Sequence, residues 1–88
     1  MSNFVKDPDA SLDYGFDWSA WLGTDTIATS TWTVDSGITK GATSNTTTTT
    51  TVWLSGGTVG TTYNAVNRIV TAGGRTNDHT LTVRVDNL

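Results

Sequence analysis

The sequence predicts an all-β fold, a small β-sandwich of about seven strands, and three observations lead there. Twenty of the 88 residues are threonine, a β-branched residue that loses rotamer freedom in a helix and suits a half-solvated pleated surface. Apolar and polar residues alternate with a period of two in several short runs, while no run keeps the period of an amphipathic helix. Four tryptophans in so short a chain are more than a disordered polar tail carries.

Residues 1–10 are polar, hold the only proline, Pro8, and read as an N-terminal arm with a short extended piece around Phe4 and Val5; residues 11–88 read as the sandwich. From Leu12 the alternation is clean. Leu12, Tyr14, Phe16 and Trp18 fall on one side and Asp13, Gly15, Asp17 and Ser19 on the other, the pattern of a strand with one buried face. Ala20 to Asp25 reads as a loop carrying Trp21. Thr26 to Val34 is the next strand, with Trp32 and Val34 on its inner face. Asp35-Ser36-Gly37 is a turn by composition, Ile38 to Thr43 a short strand, and Ser44-Asn45 a second turn.

Thr46 to Thr51 are six consecutive threonines that run into Val52-Trp53-Leu54. A flexible linker would not end in three large apolar residues. The reading is loop to Thr47 and strand from Thr48 to Leu54, with Val52 and Leu54 facing inward and Trp53 outward. Gly56 to Gly60 then bends, Thr62 to Thr71 is a long strand, Ala72-Gly73-Gly74 makes a hairpin turn, and Arg75 to Val85 closes the chain. The expected core is Leu12, Tyr14, Phe16, Trp32, Val34, Val52, Leu54, Tyr63, Ile69, Leu81, Val83 and Val85.

Composition narrows the function classes. A net charge of −3 and a pI near 4.5 give no electrostatic reason to bind nucleic acid. No apolar run approaches the length of a membrane helix, no basic-then-apolar leader opens the chain, and no cysteine supplies a disulfide or thiolate site. Catalysis finds little support: His79 reads as a surface histidine beside Asp78 at a turn, with no nucleophile elbow near it. Asp7, Asp9, Asp13 and Asp17 lack the spacing and terminal Glu of a calcium loop, so no cofactor or metal is expected. The Asn45-Thr46-Thr47 sequon carries no weight without a secretion signal.

Two resemblances add to this reading. In "LSGGTVGTTY", Leu54, Gly60 and Tyr63 stand in the order of the strand end, bend and tyrosine corner of fibronectin type III and other immunoglobulin-like domains, and Trp32 resembles the core tryptophan of that sandwich. The resemblance implies that the Tyr63 hydroxyl bonds the backbone a few residues upstream, although Val59 stands where that family usually has proline. The motifs "KDPDASLDYGFDWSAWLGTDTI", "STWTV", "TTTVWLSGG" and "TAGGRTNDHTLTVRV" together resemble a family of small tailed-bacteriophage structural proteins described as fiber–tail adaptors. This second resemblance spans nearly the whole chain.

It implies a non-enzymatic virion component at the head–tail junction or tail, linked to fibres, made in the host cytoplasm and present in several copies on a symmetric assembly. Its partners would be portal, adaptor, tail or fibre subunits, or the capsid. A capsid decoration protein, or a carbohydrate- or cell-surface-binding module using exposed tryptophans, are the alternatives. Candidate partner-binding residues are Trp21 and Trp53, both outside the inward-facing pattern, Arg68 and Arg84 on the last two strands, and Phe4 in the arm. Tryptophan and arginine are enriched at interface hot spots.

Overall fold

The structure is a computed structural model that describes residues 2–87. Among the described residues seven strands form, β1 (Ser2–Lys6), β2 (Leu12–Asp17), β3 (Ile27–Val34), β4 (Ile38–Asn45), β5 (Thr49–Gly56), β6 (Thr62–Thr71) and β7 (Thr76–Val85), with one short helix, α1 (Ser19–Leu22). They make two sheets, a four-stranded one in the order β1-β7-β6-β3 and a three-stranded one in the order β2-β5-β4. Every pairing is antiparallel except β1 with β7. The chain is an all-β sandwich.

The inward residues of the two sheets meet in a shared core. Trp32, Tyr63, Ala65, Leu81, Val83 and Val85 come from the larger sheet, and Tyr14, Ile38, Val52 and Leu54 from the smaller. A second apolar cluster, Trp18, Leu22, Ile27 and Ile69 with Phe16 and Trp21 against it, fills the end where α1 sits. Trp32 stacks on Phe16 with ring centroids 5.7 Å apart. The tyrosine corner forms as well. Tyr63 Oη accepts the Thr58 N–H at 2.9 Å, and hydrogen bonds from Thr58 hold the phenol below its ordinary pKa. Gly57, at φ +96°, allows that bend to lie on β7: a Cβ there would stand 2.6 Å from Val85 Cγ2.

The threonine run is half turn and half strand. Thr46 Oγ1 accepts the N–H groups of Thr48 and Thr49, so the side chain closes the turn, and Thr49 to Thr51 then enter β5. Thr50 points inward and is buried. Its hydroxyl donates to Asn67 Oδ1 at 2.7 Å, which also accepts the Trp18 indole N–H at 3.1 Å. Asn67 Nδ2 donates to Ser30 Oγ and the Thr31 carbonyl. One buried amide therefore ties β3, β5, β6 and the start of α1, with its donors and acceptor all used.

Several expectations change. Leu12 pairs with Leu54 in register yet is 41% exposed, as the first residue of an edge strand. Phe16 and Val34 are only partly buried against the core. Ser44 and Asn45 lie in β4, paired with Thr51 and Thr50, rather than in a turn. Trp21 lies in α1 rather than in a loop, and His79 lies within β7 rather than at a turn. The extended piece expected around Phe4 and Val5 is strand β1, which joins the sheet beside β7 instead of standing as an arm, and Lys6 is fully buried with Nζ donating to the carbonyls of Asp7 and Gly56 at 2.8 Å each. Met1 and Leu88, the outer limits of the expected arm and sandwich, lie outside the described residues.

Candidate partner-binding faces

Strand alternation sends consecutive side chains to opposite faces, so the two sheets present two outward surfaces on opposite sides of a molecule 42 × 21 × 17 Å in extent. On the three-stranded sheet the outward positions are Asp13, Gly15 and Asp17 of β2 and Thr49, Thr51, Trp53 and Ser55 of β5. Trp53 is 43% exposed on the central strand, directly opposite Asp13. Gly41, in the register break of β4, lies at van der Waals distance from it; a Cβ there would be 3.4 Å from Trp53 Cβ.

The outer face of the four-stranded sheet carries Arg68 and Arg84. Arg68 sits opposite Asp78 and grips it with two bonds, Nε to Oδ1 at 2.8 Å and Nη2 to Oδ2 at 3.0 Å. The pair lowers the Asp78 pKa and raises that of Arg68. Arg84 Nε bonds Asp86 Oδ2 at 2.8 Å. All four groups are well exposed, so these pairs are screened and add little stability. Thr31, Thr33, Val66, Val70 and Thr80 surround Arg68 in register. Phe4 stands apart from both surfaces. It lies on β1 at the open side of the sandwich, its ring 4.9 Å from Tyr14 and 37% exposed.

Trp21 is the candidate that the structure covers. Its ring meets Trp18 edge-on at 5.7 Å, and the Arg75 guanidinium lies 4.3 Å above its centroid. Arg75 is fixed there by Nε to Asp25 Oδ2 at 3.1 Å and Nη2 to the Leu22 carbonyl at 2.9 Å. Asp25 is held to about 2 by the Thr71 hydroxyl first, then by the Thr26 and Gly73 N–H groups and Arg75. Arg75 and Asp25 are a working pair that sequence reading missed, since 50 residues separate them. On the same end His79 stacks on Trp18 with centroids 4.0 Å apart and meets the edge of Phe16.

Of the four aspartates weighed for calcium, Asp7 and Asp17 bond backbone N–H groups. Asp7 Oδ1 accepts the Asp9 N–H, and Asp17 Oδ1 accepts the Ser19 N–H, with hydrogen bonds from Ser19 lowering the Asp17 pKa. Among the described residues no group of three or more His, Cys, Asp or Glu is placed to hold a metal ion.

Residues 6–84 match the family model Gp77, described as podophage GP4 fiber-tail adaptor protein gp77. The chain belongs to this fiber-tail adaptor family. The match takes in all the strands except most of β1 and the end of β7, so it covers both outward faces and the Trp21 corner. A search of curated proteins gave no significant match. Membership makes the chain a structural protein of the phage virion, and the candidate surfaces become the surfaces of an adaptor.

Proposed function

We propose that this adaptor is a static, non-enzymatic linker that holds fibres to the phage tail, with one virion partner on each outer face of the sandwich. The observation that supports this most is the separation of the candidate anchors. Trp53 stands on the outer face of one sheet, and Arg68 and Arg84 stand on the outer face of the other. Two outward faces on opposite sides of one shared core suit a part that joins two bodies. Each face pairs a few strong anchors with small or β-branched neighbours, as protein interfaces concentrate their energy in a few residues.

The chain would act in several copies on a symmetric tail, where weak contacts on each copy add through avidity. A carbohydrate-binding role would draw on a pair of open aromatic platforms, and only Trp53 is open, since Arg75 covers Trp21. Phage particles lacking the chain test the reading. They are expected to keep a complete tail and to lose their fibres, and cryo-EM of wild-type particles is expected to place the sandwich between the two. Fibres retained on particles without the chain would contradict the linker role.

A further inference from the structure

The corner at α1 shows what this protein does with an indole and a carboxylate. Trp21 and Asp25 together hold the Arg75 guanidinium, the ring beneath it at 4.3 Å and the carboxylate at its Nε at 3.1 Å. Cation–π attraction and a charge-assisted hydrogen bond act on one group at once. Trp53 and Asp13 repeat the first two ingredients on the outer face of the three-stranded sheet. They are directly opposite on β5 and β2, where side chains on the same face lie within about 5.5 Å at Cβ. Both are exposed, and the Asp13 carboxylate has no hydrogen bond or ion pair among the described residues.

The third ingredient is lacking on that face. The outward positions of β2, β5 and β4 carry Asp13 and Asp17 and no Lys or Arg. Lys40, the only basic residue of β4, is turned to the side of the sandwich, where Nζ donates to the Trp32 carbonyl at 3.1 Å. Asp13 stands directly opposite Trp53 and Asp17 opposite Thr49 further along β2, so the outward charges of this face are carboxylates. Two such faces set against each other would bring four carboxylates together, which argues against a symmetric dimer through this surface.

We propose that Trp53 and Asp13 form a receptor for an arginine side chain of another virion protein, whose guanidinium stacks on the indole while bonding the carboxylate. Arginine fits better than lysine because its planar group can stack and donate two bonds together. Gly41 adds no side chain beside the base of Trp53, where a Cβ would stand 3.4 Å from Trp53 Cβ. This inference rests on the adaptor reading for its occupant and on the Trp53–Asp13 geometry for its chemistry.

The chemistry is tested on the intact chain, labelled with 15N and titrated with N-acetyl-arginine methylamide against sodium chloride of equal ionic strength. The four indole N–H signals, one from each tryptophan, report separately. The Trp53 indole and the Asp13 amide are expected to shift saturably, and the Trp21 indole to stay still because Arg75 already fills its site. The lysine analogue should bind more weakly, and Asp13→Asn should weaken arginine binding about three- to fivefold. A Trp53 shift no larger than the salt control, or one unchanged in Asp13→Asn, would overturn the receptor.

The occupant is tested in particles. Asp13→Lys, in competition with wild type, is expected to lower incorporation about tenfold or more through like-charge repulsion, with its melting temperature unchanged. Equal incorporation would overturn a virion arginine as the ligand. Self-association of the purified chain that Trp53→Ala abolishes would also overturn it, by making a second copy the occupant. Loss of fibres from particles lacking the chain stands apart from all these outcomes, so the linker role and the arginine site fail separately.

Discussion

The Trp21 corner and the Trp53 face contain the same pair of groups, an indole and a carboxylate, and differ in having or lacking an arginine of their own. At the corner Arg75 closes the arrangement, Asp25 is held to about 2, and Trp21 is half-buried between Arg75 and Trp18. On the face nothing closes it, and Trp53 remains 43% exposed. The difference separates internal structure from external binding. A satisfied indole stabilises the fold, whereas an unsatisfied one on a rigid sheet is available to a partner.

The largest expected effect lies beneath the corner. Trp18 is 1% exposed and donates its indole N–H to Asn67. Trp18→Ala would open a cavity and leave the buried amide short of a partner, at a cost of ~3–5 kcal/mol. Trp32→Ala should cost a similar amount, and a domain of this size would hardly stay folded after either. An unchanged melting temperature for either variant would break the division into a structural end and a binding face.

A smaller effect separates two tyrosines given the same substitution. Tyr63 Oη is bonded to the Thr58 N–H, while Tyr14 Oη is buried with no partner among the described residues, and burial raises its pKa. Tyr63→Phe is expected to cost ~1–2 kcal/mol, and Tyr14→Phe to be neutral or mildly stabilising. Equal losses in chemical denaturation would mean that the Tyr63 corner contributes no specific bond.

Smaller again is the pH response of the corner. The folded pKa of Asp25 lies near 2, below its ordinary 3.8. A lowered carboxylate contributes stability that is present above the unfolded value and is lost as pH falls through the folded one. Thermal unfolding followed from about pH 5 to about pH 2 should therefore show a decline that Asp25→Asn makes shallower. Identical slopes would remove Asp25 from the corner's stabilising set.

Period-two alternation made most of this fold readable in advance. Val52, Leu54, Leu81, Val83 and Val85 face inward because the pleat leaves them no choice, and Trp53 faces outward for the same reason. Alternation puts Leu12 on the inner face but does not report its cover, and Leu12, at the start of an edge strand, is exposed. Ser44 and Asn45 have turn-like composition, but pairing with Thr51 and Thr50 extends β4 through them. Helix α1 is a single turn, too short to show a period. The closing of Trp21 by Arg75 depends on contacts across 50 residues, which local pattern does not carry. Position relative to the sheet was legible; occupancy of the resulting surface was not.

The smallest expected change in stability accompanies the largest expected change in assembly. Trp53→Ala removes an exposed side chain from a formed strand and should alter stability by at most ~0.5 kcal/mol. A tryptophan at an interface hot spot contributes about 2 kcal/mol or more, roughly a thirtyfold change in affinity. Avidity on a symmetric tail can mask such a loss when every copy is mutant. The direct measurement is therefore competition: wild-type and Trp53→Ala proteins supplied together during assembly, their ratio read by mass spectrometry of purified particles. The mutant is expected to melt like wild type and to be strongly under-represented in the virion; equal incorporation of the two proteins would remove Trp53 as an anchor.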